Sequence, residues 1–426
     1  MRSVQATHNQ FAVSANTKET AINTEQTLDT QMLCALSDVM NLEPRREDNS
    51  NEAIGLEEPD TVYDNGALAG MTMNFEKAQP QHFAFLLAYA LGQVSTAVKG
   101  DGYQHTITPI SGDLDESRSN PSFTLAQRYG KTVVKRRYAS CFVDSVTFSF
   151  IRDAWVKLSG VIKATGKFTN NIESETVSAA GDATTITLAS NGVHGATAAE
   201  RLANVQHVYV ELSAGVKTEV TVTAVSDASP AVLTIVDPGG TSSPAVDYEV
   251  LYIPDESGWM TFPARISETP LRVSEVSAIF GGKWTGSAFS GGRTIAAEVK
   301  SVEGTFNNNG ECQFTLGAGG DYASRYVRNG RTQKVKLDRE FREFIMQQHI
   351  EDNDTFGLYI KAEGSLYDET YKYQVEIIYP KCAVMTSPIS VDNKRLGESV
   401  DVQVLEDATY GSIIVKVQNL QATYAA

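Results

Sequence analysis

The chain has 426 residues, of which 42% are apolar, so it is long enough for two or three domains with buried cores. Its 36 basic and 52 acidic residues give a net charge of −16, a sign that disfavours a protein gripping the phosphates of duplex DNA. The sequence begins without the apolar core of a signal peptide, and its longest apolar run, residues 83–91, is too short to span a bilayer. We therefore expect a soluble protein that is made in a cytoplasm.

The first 66 residues are polar and acidic and show little periodicity. A short helix is predicted over residues 30–40, where Leu33, Leu36 and Met40 fall on one helical face. Two interpretations of this region stay open. It is either a mobile terminus or an arm that becomes ordered on a neighbouring subunit.

Residues 79–92 carry the clearest helix signal. Pro80 suits the first helical position and Gly92 suits the position after the last turn. Apolar residues recur between them every three or four positions and predict one apolar stripe. His82 has no second metal ligand nearby, so we assign it a structural role.

The pattern becomes β from residue 103 onward. Residues 143–150 alternate between apolar and hydroxyl side chains, and residues 154–167 predict the returning strand of a hairpin. Between residues 175 and 255 the composition shifts to Ala, Thr, Ser and Val, in short strands divided by turns. This segment predicts a small β-sandwich or barrel inserted in the main fold.

The second half repeats some of these features. Residues 299–306 and 312–316 alternate in the same way, and residues 337–350 predict a second helix with Asp338 as its N-cap. The frame V-x-S-V-x-x-x-F occurs both in 143–150 and in 299–306, which favours an internal duplication. The first predicted helix precedes its hairpin, however, whereas the second follows it.

No motif for catalysis or metal binding stands out. The sequence lacks G-x-S-x-G, H-E-x-x-H and phosphate-loop motifs, and its six histidines do not pair at ligand spacing. The four cysteines form no C-x-x-C pair, and Cys141, Cys312 and Cys382 are expected to be buried apolar residues. We therefore predict a protein that is not an enzyme, with no catalytic site, no metal site and no cofactor.

Several stretches, in order, resemble the tail tube (major tail) proteins of long-tailed bacteriophages. They are "HFAFLLAYALGQVST", "GYQHTITPI", "NPSFTLAQRYG" and "RRYASCFVDSVTFSFIRDAWVKLSGVIKATGK", which lie within residues 80–168. The segment "QFAVSANTKETAINTEQTLDT" and the region after residue 256 resemble the family more loosely. Residues 175–255 do not match it.

The resemblance implies a mainly β fold. We expect a tail-tube-type β-sandwich with flanking helices and long hairpins that form an intersubunit β-barrel, plus a small inserted β domain. The corresponding division is an N-terminal arm or loop at 1–66, a first part of the tube domain at 67–174, the insertion at 175–255, and a second part at 256–426. The last part is alternatively a duplicated tube module. The insertion is placed on the tube exterior, because a domain in the channel would block passage.

The resemblance also implies a structural virion protein, synthesised in the bacterial cytoplasm and located in the phage tail. It would self-assemble into stacked rings that enclose the tape measure protein and meet tail terminator and tail-tip proteins. DNA would pass through the tube during ejection without specific binding, and no membrane or cofactor is involved. The ring is a hexamer if each chain holds one tube module and a trimer if the module is duplicated. The differing order of helix and hairpin favours the hexamer.

The polar residues of the alternating strands are the candidates for the face that lines the channel. They are short or acidic and include no Lys or Arg, which suits a wall past which DNA slides. The candidates are Ser145, Thr147, Ser149, Ser301, Glu303, Thr305, Gln313 and Thr315.

Two other classes of function stay open. A phage β-sandwich adhesion or decoration protein would use residues 175–255 to bind a host surface, and it would never polymerise. A glycosidase would have a deep pocket with two carboxylates at catalytic separation, one of them with a raised pKa.

Overall fold

A computed structural model describes residues 5–110, 120–130, 133–213, 215–241, 245–255, 261–295, 297–316, 320–392 and 394–426. Within these ranges the chain is mainly β, and its strands pair in antiparallel sheets. The α-helices are α1 (Pro80–Leu91), α2 (Ala198–Ala203) and α3 (Ile345–Asp352), and single turns of 3-10 helix cover Ala6–His8 and Val273–Glu275.

The strands are numbered in chain order. The first ten are β1 (Gln10–Val13), β2 (Thr30–Met32), β3 (Asn41–Asp48), β4 (Val62–Phe75), β5 (Gly92–Lys99), β6 (Gly102–Pro109), β7 (Phe123–Arg128), β8 (Lys135–Ile151), β9 (Lys157–Ala164) and β10 (Phe168–Asn170). The next seven are β11 (Glu173–Ala180), β12 (Thr185–Thr187), β13 (Val205–Ser213), β14 (Val216–Glu219), β15 (Val222–Val225), β16 (Val232–Ile235) and β17 (Ala245–Tyr252). The remainder are β18 (Val276–Trp284), β19 (Phe289–Ser290), β20 (Arg293–Thr294), β21 (Val299–Asn307), β22 (Gly310–Gln313), β23 (Arg325–Arg328), β24 (Thr332–Glu340), β25 (Phe356–Leu366), β26 (Lys372–Thr386), β27 (Ile389–Asp392), β28 (Arg395–Val404) and β29 (Ile414–Asn419).

The chain folds into two compact units. The smaller unit consists of residues 1–9, 127–137 and 168–262, and the larger unit of residues 10–126, 138–167 and 263–426. The segment 175–255, which the sequence sets apart by composition, therefore lies within the smaller unit.

The smaller unit contains two sheets around one core. One sheet has the strand order β11–β17–β13–β14 and the other has the order β12–β16–β15. Side chains from both sheets form a continuous apolar cluster, in which Tyr248 and Tyr252 are fully buried. Helix α2 begins at a capping box in which Thr197 and Glu200 bond each other's backbone N–H groups.

A long sheet runs through the larger unit in the order β3–β4–β9–β8–β21–β24–β28–β27. Residues 383–386 of β26 pair with β28 just before β27 does, so these two segments form one edge of the sheet. Cys382, which precedes this edge, pairs with β28 on one side and with Phe356 of β25 on the other. We call this edge the β26/β27 edge. None of the described strands pairs in register with the outer side of β3 or of the β26/β27 edge.

A second sheet of the larger unit has the order β5–β6–β29–β26–β25–β18. Strand β26 passes from this sheet to the long sheet, because residues 374–378 pair with β29 and residues 382–386 pair with β28. The predicted hairpin β8–β9 is confirmed, and β25 and β26 form a second hairpin.

Helix α1 is the core element between these sheets. All twelve of its residues are buried, although the sequence predicts one apolar stripe on a flanking helix. The helix packs on β6 and β29 of one sheet and on β9 of the other. Phe83 stacks on Phe150 of β8, with 6.5 Å between the ring centroids. A helix that is apolar on nearly every side is buried on every side, which explains the difference.

The polar groups at the start of α1 are buried as well. The backbone N–H of Gln81 donates to Glu268 Oε2 at 2.9 Å, and His82 stacks on Phe75 with 4.0 Å between the ring centroids. Burial lowers the pKa of His82 to about 3 and raises the pKa of Glu268 to about 7. Both side chains are therefore held close to their neutral forms.

The helix predicted over residues 30–40 is wrong. Residues 30–32 form β2, which pairs with β1, and Met32 and Met40 are buried without forming a helical stripe. The Asp38 carboxylate accepts the backbone N–H of Asn74 at 2.7 Å and fixes the segment against β4. Residues 10–48 thus contribute three strands to the larger unit and do not form a separate arm. Tertiary contacts override a weak local periodicity at this point.

The helix predicted over residues 337–350 is wrong in its first half. Residues 337–340 belong to β24, and α3 begins only at Ile345. Asp338 is not an N-cap, because its carboxylate accepts the hydroxyls of Ser301 at 2.9 Å and Ser399 at 2.7 Å on the two neighbouring strands. The residues of β24 alternate with period two and pair on both sides.

Gly304→Ala should destabilise the larger unit by about 1–3 kcal/mol. A Cβ atom at position 304 would lie 2.0 Å from Cζ of Phe148, which sits directly opposite on β8. The control is Gly397→Ala on β28, where the nearest heavy atom to the new Cβ lies at 3.7 Å. Urea denaturation of both variants measures the difference, and equal free energies of unfolding would contradict the close contact.

Glu268→Gln should remove a pH-dependent loss of stability. The folded state holds the proton of Glu268 up to about pH 7, whereas the ordinary pKa of the side chain is 4.5. The unfolded chain therefore releases this proton first, and the contribution of Glu268 to stability falls as the pH rises through that window. Relative to the native protein, the variant should gain on the order of 3 kcal/mol in free energy of unfolding between pH 5 and pH 8. The exposed Glu303→Gln is the control, and parallel pH profiles for the native protein and Glu268→Gln would contradict the prediction.

Candidate functional site

The long sheet has one buried face and one polar face, and the polar face is the candidate functional site. On β8 and β21, Ser149 lies opposite Glu303 and Thr147 lies opposite Thr305. Six of the eight candidate residues share this face. These six are Ser145, Thr147, Ser149, Ser301, Glu303 and Thr305. The predicted alternation is confirmed, because the apolar residues between them on β8 and β21 are at most 3% exposed.

The other two candidates, Gln313 and Thr315, do not join the polar face. Gln313 ends β22, whose pairing partner is β23 in a separate two-stranded sheet. Thr315 lies beyond that strand, with its Oγ1 2.6 Å from Oγ of Ser324. Leu316, which the alternation assigns to an apolar side, is fully exposed. The alternating pattern therefore ends at Phe314, which packs beside the buried Cys312.

The polar face also contains lysines, which are not among the eight candidate residues. Register places Lys334 and Lys336 of β24 and Lys157 of β9 on it. Lys336 lies between Glu303 on β21 and Asp401 on β28. Nζ of Lys157 is 2.5 Å from Oε2 of Glu76. Because a helix is predicted from residue 337, no strand is predicted over residues 332–340, and the lysines of β24 are not assigned to a sheet face. The alternation in "TQKVKLDRE" nevertheless marks a strand.

A groove of 630 Å³ opens on this face above β24 and β28. Its lining mixes hydroxyl, amide and charged groups with the thioether of Met385, which is 59% exposed. Among the residues that the structure describes, no cluster of three or more His, Cys, Asp or Glu side chains could hold a metal ion. Within the same residues, no helix has the length and apolar character needed to cross a bilayer.

Asp144 ties the two central hairpins together. It is the extra residue of a β-bulge between Val143 and Ser145, and its side chain is only 9% exposed. Its carboxylate accepts the backbone N–H of Gly310 at 2.6 Å and lies 2.9 Å from Nζ of Lys163. The start of β22, just after the end of β21, is therefore fixed to β8 and β9 at one point.

The strand order of the long sheet repeats once. Its first half is β3–β4–β9–β8, and its second half is β21–β24–β28 followed by the β26/β27 edge. In each half a hairpin comes first in sequence, a helix follows it, and a second hairpin supplies the other two strands. The halves thus have the same order of elements, contrary to the order predicted from the sequence.

The second hairpins of the two halves also share a short motif. Residues 138–143 and 379–384 both read Y-x-x-C-x-V, with the tyrosine and the cysteine buried in each. Both strands then carry a bulge at the residue after the valine, Asp144 in the first half and Met385 in the second. Two independent strands rarely share a motif, a burial pattern and a bulge, so the halves are structural equivalents.

The first hairpins give an independent check. Met71 pairs with the β9 residue that pairs in turn with the valine of the first motif. Val335 pairs with the β28 residue that pairs in turn with the valine of the second motif. Met71 and Val335 are therefore equivalent positions. A shift of 264 residues carries Met71 to Val335, and the same shift carries Pro80, the first residue of α1, to position 344. Helix α3 begins at Ile345. Strand register and helix position therefore agree on one repeat.

The shared frame V-x-S-V-x-x-x-F does not mark equivalent strands. Its two copies lie side by side on β8 and β21, where the two halves of the sheet meet. Val146 of one copy pairs with Phe306 of the other, and Phe150 pairs with Val302. The frame reflects complementary packing at this junction, whereas the repeat itself relates β21 to β3 and β8 to the β26/β27 edge.

No protein-family model matches the chain, and no curated protein is significantly similar to it.

Asp144→Ala should destabilise the junction of the hairpins by about 1–3 kcal/mol, because it leaves the N–H of Gly310 without its acceptor. Asp144→Asn keeps an acceptor oxygen and should cost less. Lys163→Met should have a small effect, because the Lys163 side chain is 43% exposed. Urea denaturation and hydrogen exchange of residues 305–316 measure the effects. Unchanged exchange in Asp144→Ala would contradict this role.

Proposed function

We propose that the chain is a tail tube subunit of a long-tailed bacteriophage, a structural protein that assembles into stacked rings around a channel. The long sheet is the observation that carries this proposal. One of its faces is buried on α1, the other is rich in hydroxyl groups, and none of the described strands pairs with either of its outer edges. Unpaired edges invite further strands, and closure of such sheets into a barrel removes the edges.

The repeat supports a ring of three chains. Three chains with eight strands each supply as many strands to a common barrel as six chains with one four-stranded module each. The expected hexamer depends on a difference in element order between the two halves, and the halves have the same order. The length of the chain and its duplicated hairpins are therefore accounted for by one trimeric ring.

The polar face suits a channel through which DNA moves without being held. Lysines attract phosphates, and each contact would slow the passage of DNA. Register places Lys336 between Glu303 and Asp401, and Lys157 is paired with Glu76, so carboxylates compete with phosphate for these lysines. In this proposal the channel holds the tape measure protein before ejection, and tail terminator and tail-tip proteins close the ends.

The proposal assigns residues 175–255 to the exterior of the tube, because a folded domain in the channel would block passage. Deletion of these residues should leave assembly of the tube unchanged. A folded deletion variant that forms no tubes under conditions where the full chain does would contradict this assignment.

Electron microscopy of the purified protein, with averaging of end-on views, tests the function. We expect hollow tubes whose rings have threefold symmetry and an inner wall that approaches sixfold symmetry. Rings with true sixfold symmetry would contradict the trimer and retain the tube. Discrete particles at every protein concentration, together with binding to a host surface, would favour the adhesion or decoration protein.

A further inference from the structure

We infer that neighbouring chains join by antiparallel pairing of β3 of one chain with the β26/β27 edge of the next, in the register that β8 and β21 adopt within each chain. The inference deepens the proposed function, on which it rests. It specifies the partner as a second copy of the chain and identifies the two surfaces that meet.

The starting point is the junction inside the chain. The two halves of the long sheet meet where β8 pairs with β21. The equivalent of β21 in the first half is β3, and the equivalent of β8 in the second half is the β26/β27 edge. These two equivalents are the edges that no described strand covers. A second copy can therefore repeat between chains the junction that exists within one chain.

Equivalence also fixes the register. Within the chain, Ser145 pairs with Asn307. The equivalent of Ser145 is Thr386, because each is the first paired residue after its bulge. The equivalent of Asn307 is Glu43, because the shift of 264 residues that relates the first hairpins also relates β21 to β3. Thr386 of one chain should therefore lie opposite Glu43 of the next.

The composition of the two edges fits this register. Ile389 and Val391 are 40% and 74% exposed at one end of the β26/β27 edge. If the pairing between chains continues in the same register, Ile389 and Val391 lie beside residues 38–40 of the next chain, close to its exposed Leu36 and Val39. Pairing would bury apolar side chains from both edges, which otherwise favour aggregation.

Charged residues lie at the other end of β3. Glu47 and Asp48 are exposed there and extend beyond the proposed pairing, because β25 pairs with β26 up to Cys382. Pro44 and the charged residues of β3 also discourage pairing with unrelated strands, because proline lacks an N–H donor and charges repel an unmatched edge. This edge is therefore suited to one specific partner.

A disulfide between Glu43→Cys and Thr386→Cys tests the register. Residues directly opposite in antiparallel strands have Cβ atoms about 4.5–5.5 Å apart, close enough for a disulfide after small adjustments. Within one chain the two positions are separated by seven strand spacings, about 34 Å, so the bond can form only between chains. Both residues are exposed, and Cys34, which is half-buried, is replaced by Ser in every variant.

The control pair is Glu43→Cys with Ser390→Cys, which is out of register by four residues, about 14 Å. After mild oxidation of assembled protein, the test pair should give covalent dimers and trimers on a denaturing gel without reductant. The control pair and each single variant should remain monomeric.

The outcomes separate the inference from the proposed function. Tubes that form while the test pair stays uncrosslinked, or while the control pair crosslinks as well as the test pair, would overturn the edge and register and leave the tube intact. Discrete particles without tubes and without crosslinks, from variants whose circular dichroism matches the native protein, would overturn both.

Discussion

The contact between Phe148 and Gly304 sets the arrangement of the long sheet. The aromatic ring occupies the space that glycine leaves on the neighbouring strand, and this fit selects one register for β8 and β21. A slip of one residue would turn Phe148 and Phe150 to the polar face and move the hydroxyl residues into the core. The same register places the apolar side chains of both strands toward α1. The polar face and the buried helix therefore depend on one local packing constraint.

Burial of α1 gives the larger unit two opposing responses to pH. His82 contributes stability that is lost as the pH falls from its ordinary pKa of 6.5 toward about 3. Glu268 contributes stability that is lost as the pH rises from 4.5 toward about 7. The two groups lie at the same end of the same helix, so their effects offset each other over the range in which both titrate. A charge on either group would lie inside an apolar core, where water cannot solvate it, so the charged form of each group is disfavoured.

The sequence predicts the local features well and the long-range ones poorly. Alternating apolar and hydroxyl residues locate β8 and β21, and Pro80 with Gly92 locates α1, because these signals depend on neighbours along the chain. The helices predicted over residues 30–40 and 337–350 fail where strand pairing outweighs local periodicity. The order of the repeat cannot be predicted from the sequence pattern either, because the two halves share strand register and the position of a bulge more than they share identical residues. Lys334 and Lys336 are missed through the same error, because a helix predicted over part of β24 leaves no strand on which to place them, whereas Lys157 lies in a predicted strand.

The junction of β8 with β21 has a consequence for the thermodynamics of assembly. Two modules on separate chains would lose translational and rotational freedom at every contact, whereas in this chain one contact in two forms as the chain folds. In the proposed ring of three chains, half of the junctions between modules would therefore cost no association entropy and would not depend on protein concentration. The covalent link between the halves acts as a high local concentration of one module around the other, and it lowers the number of separate encounters needed to complete a ring.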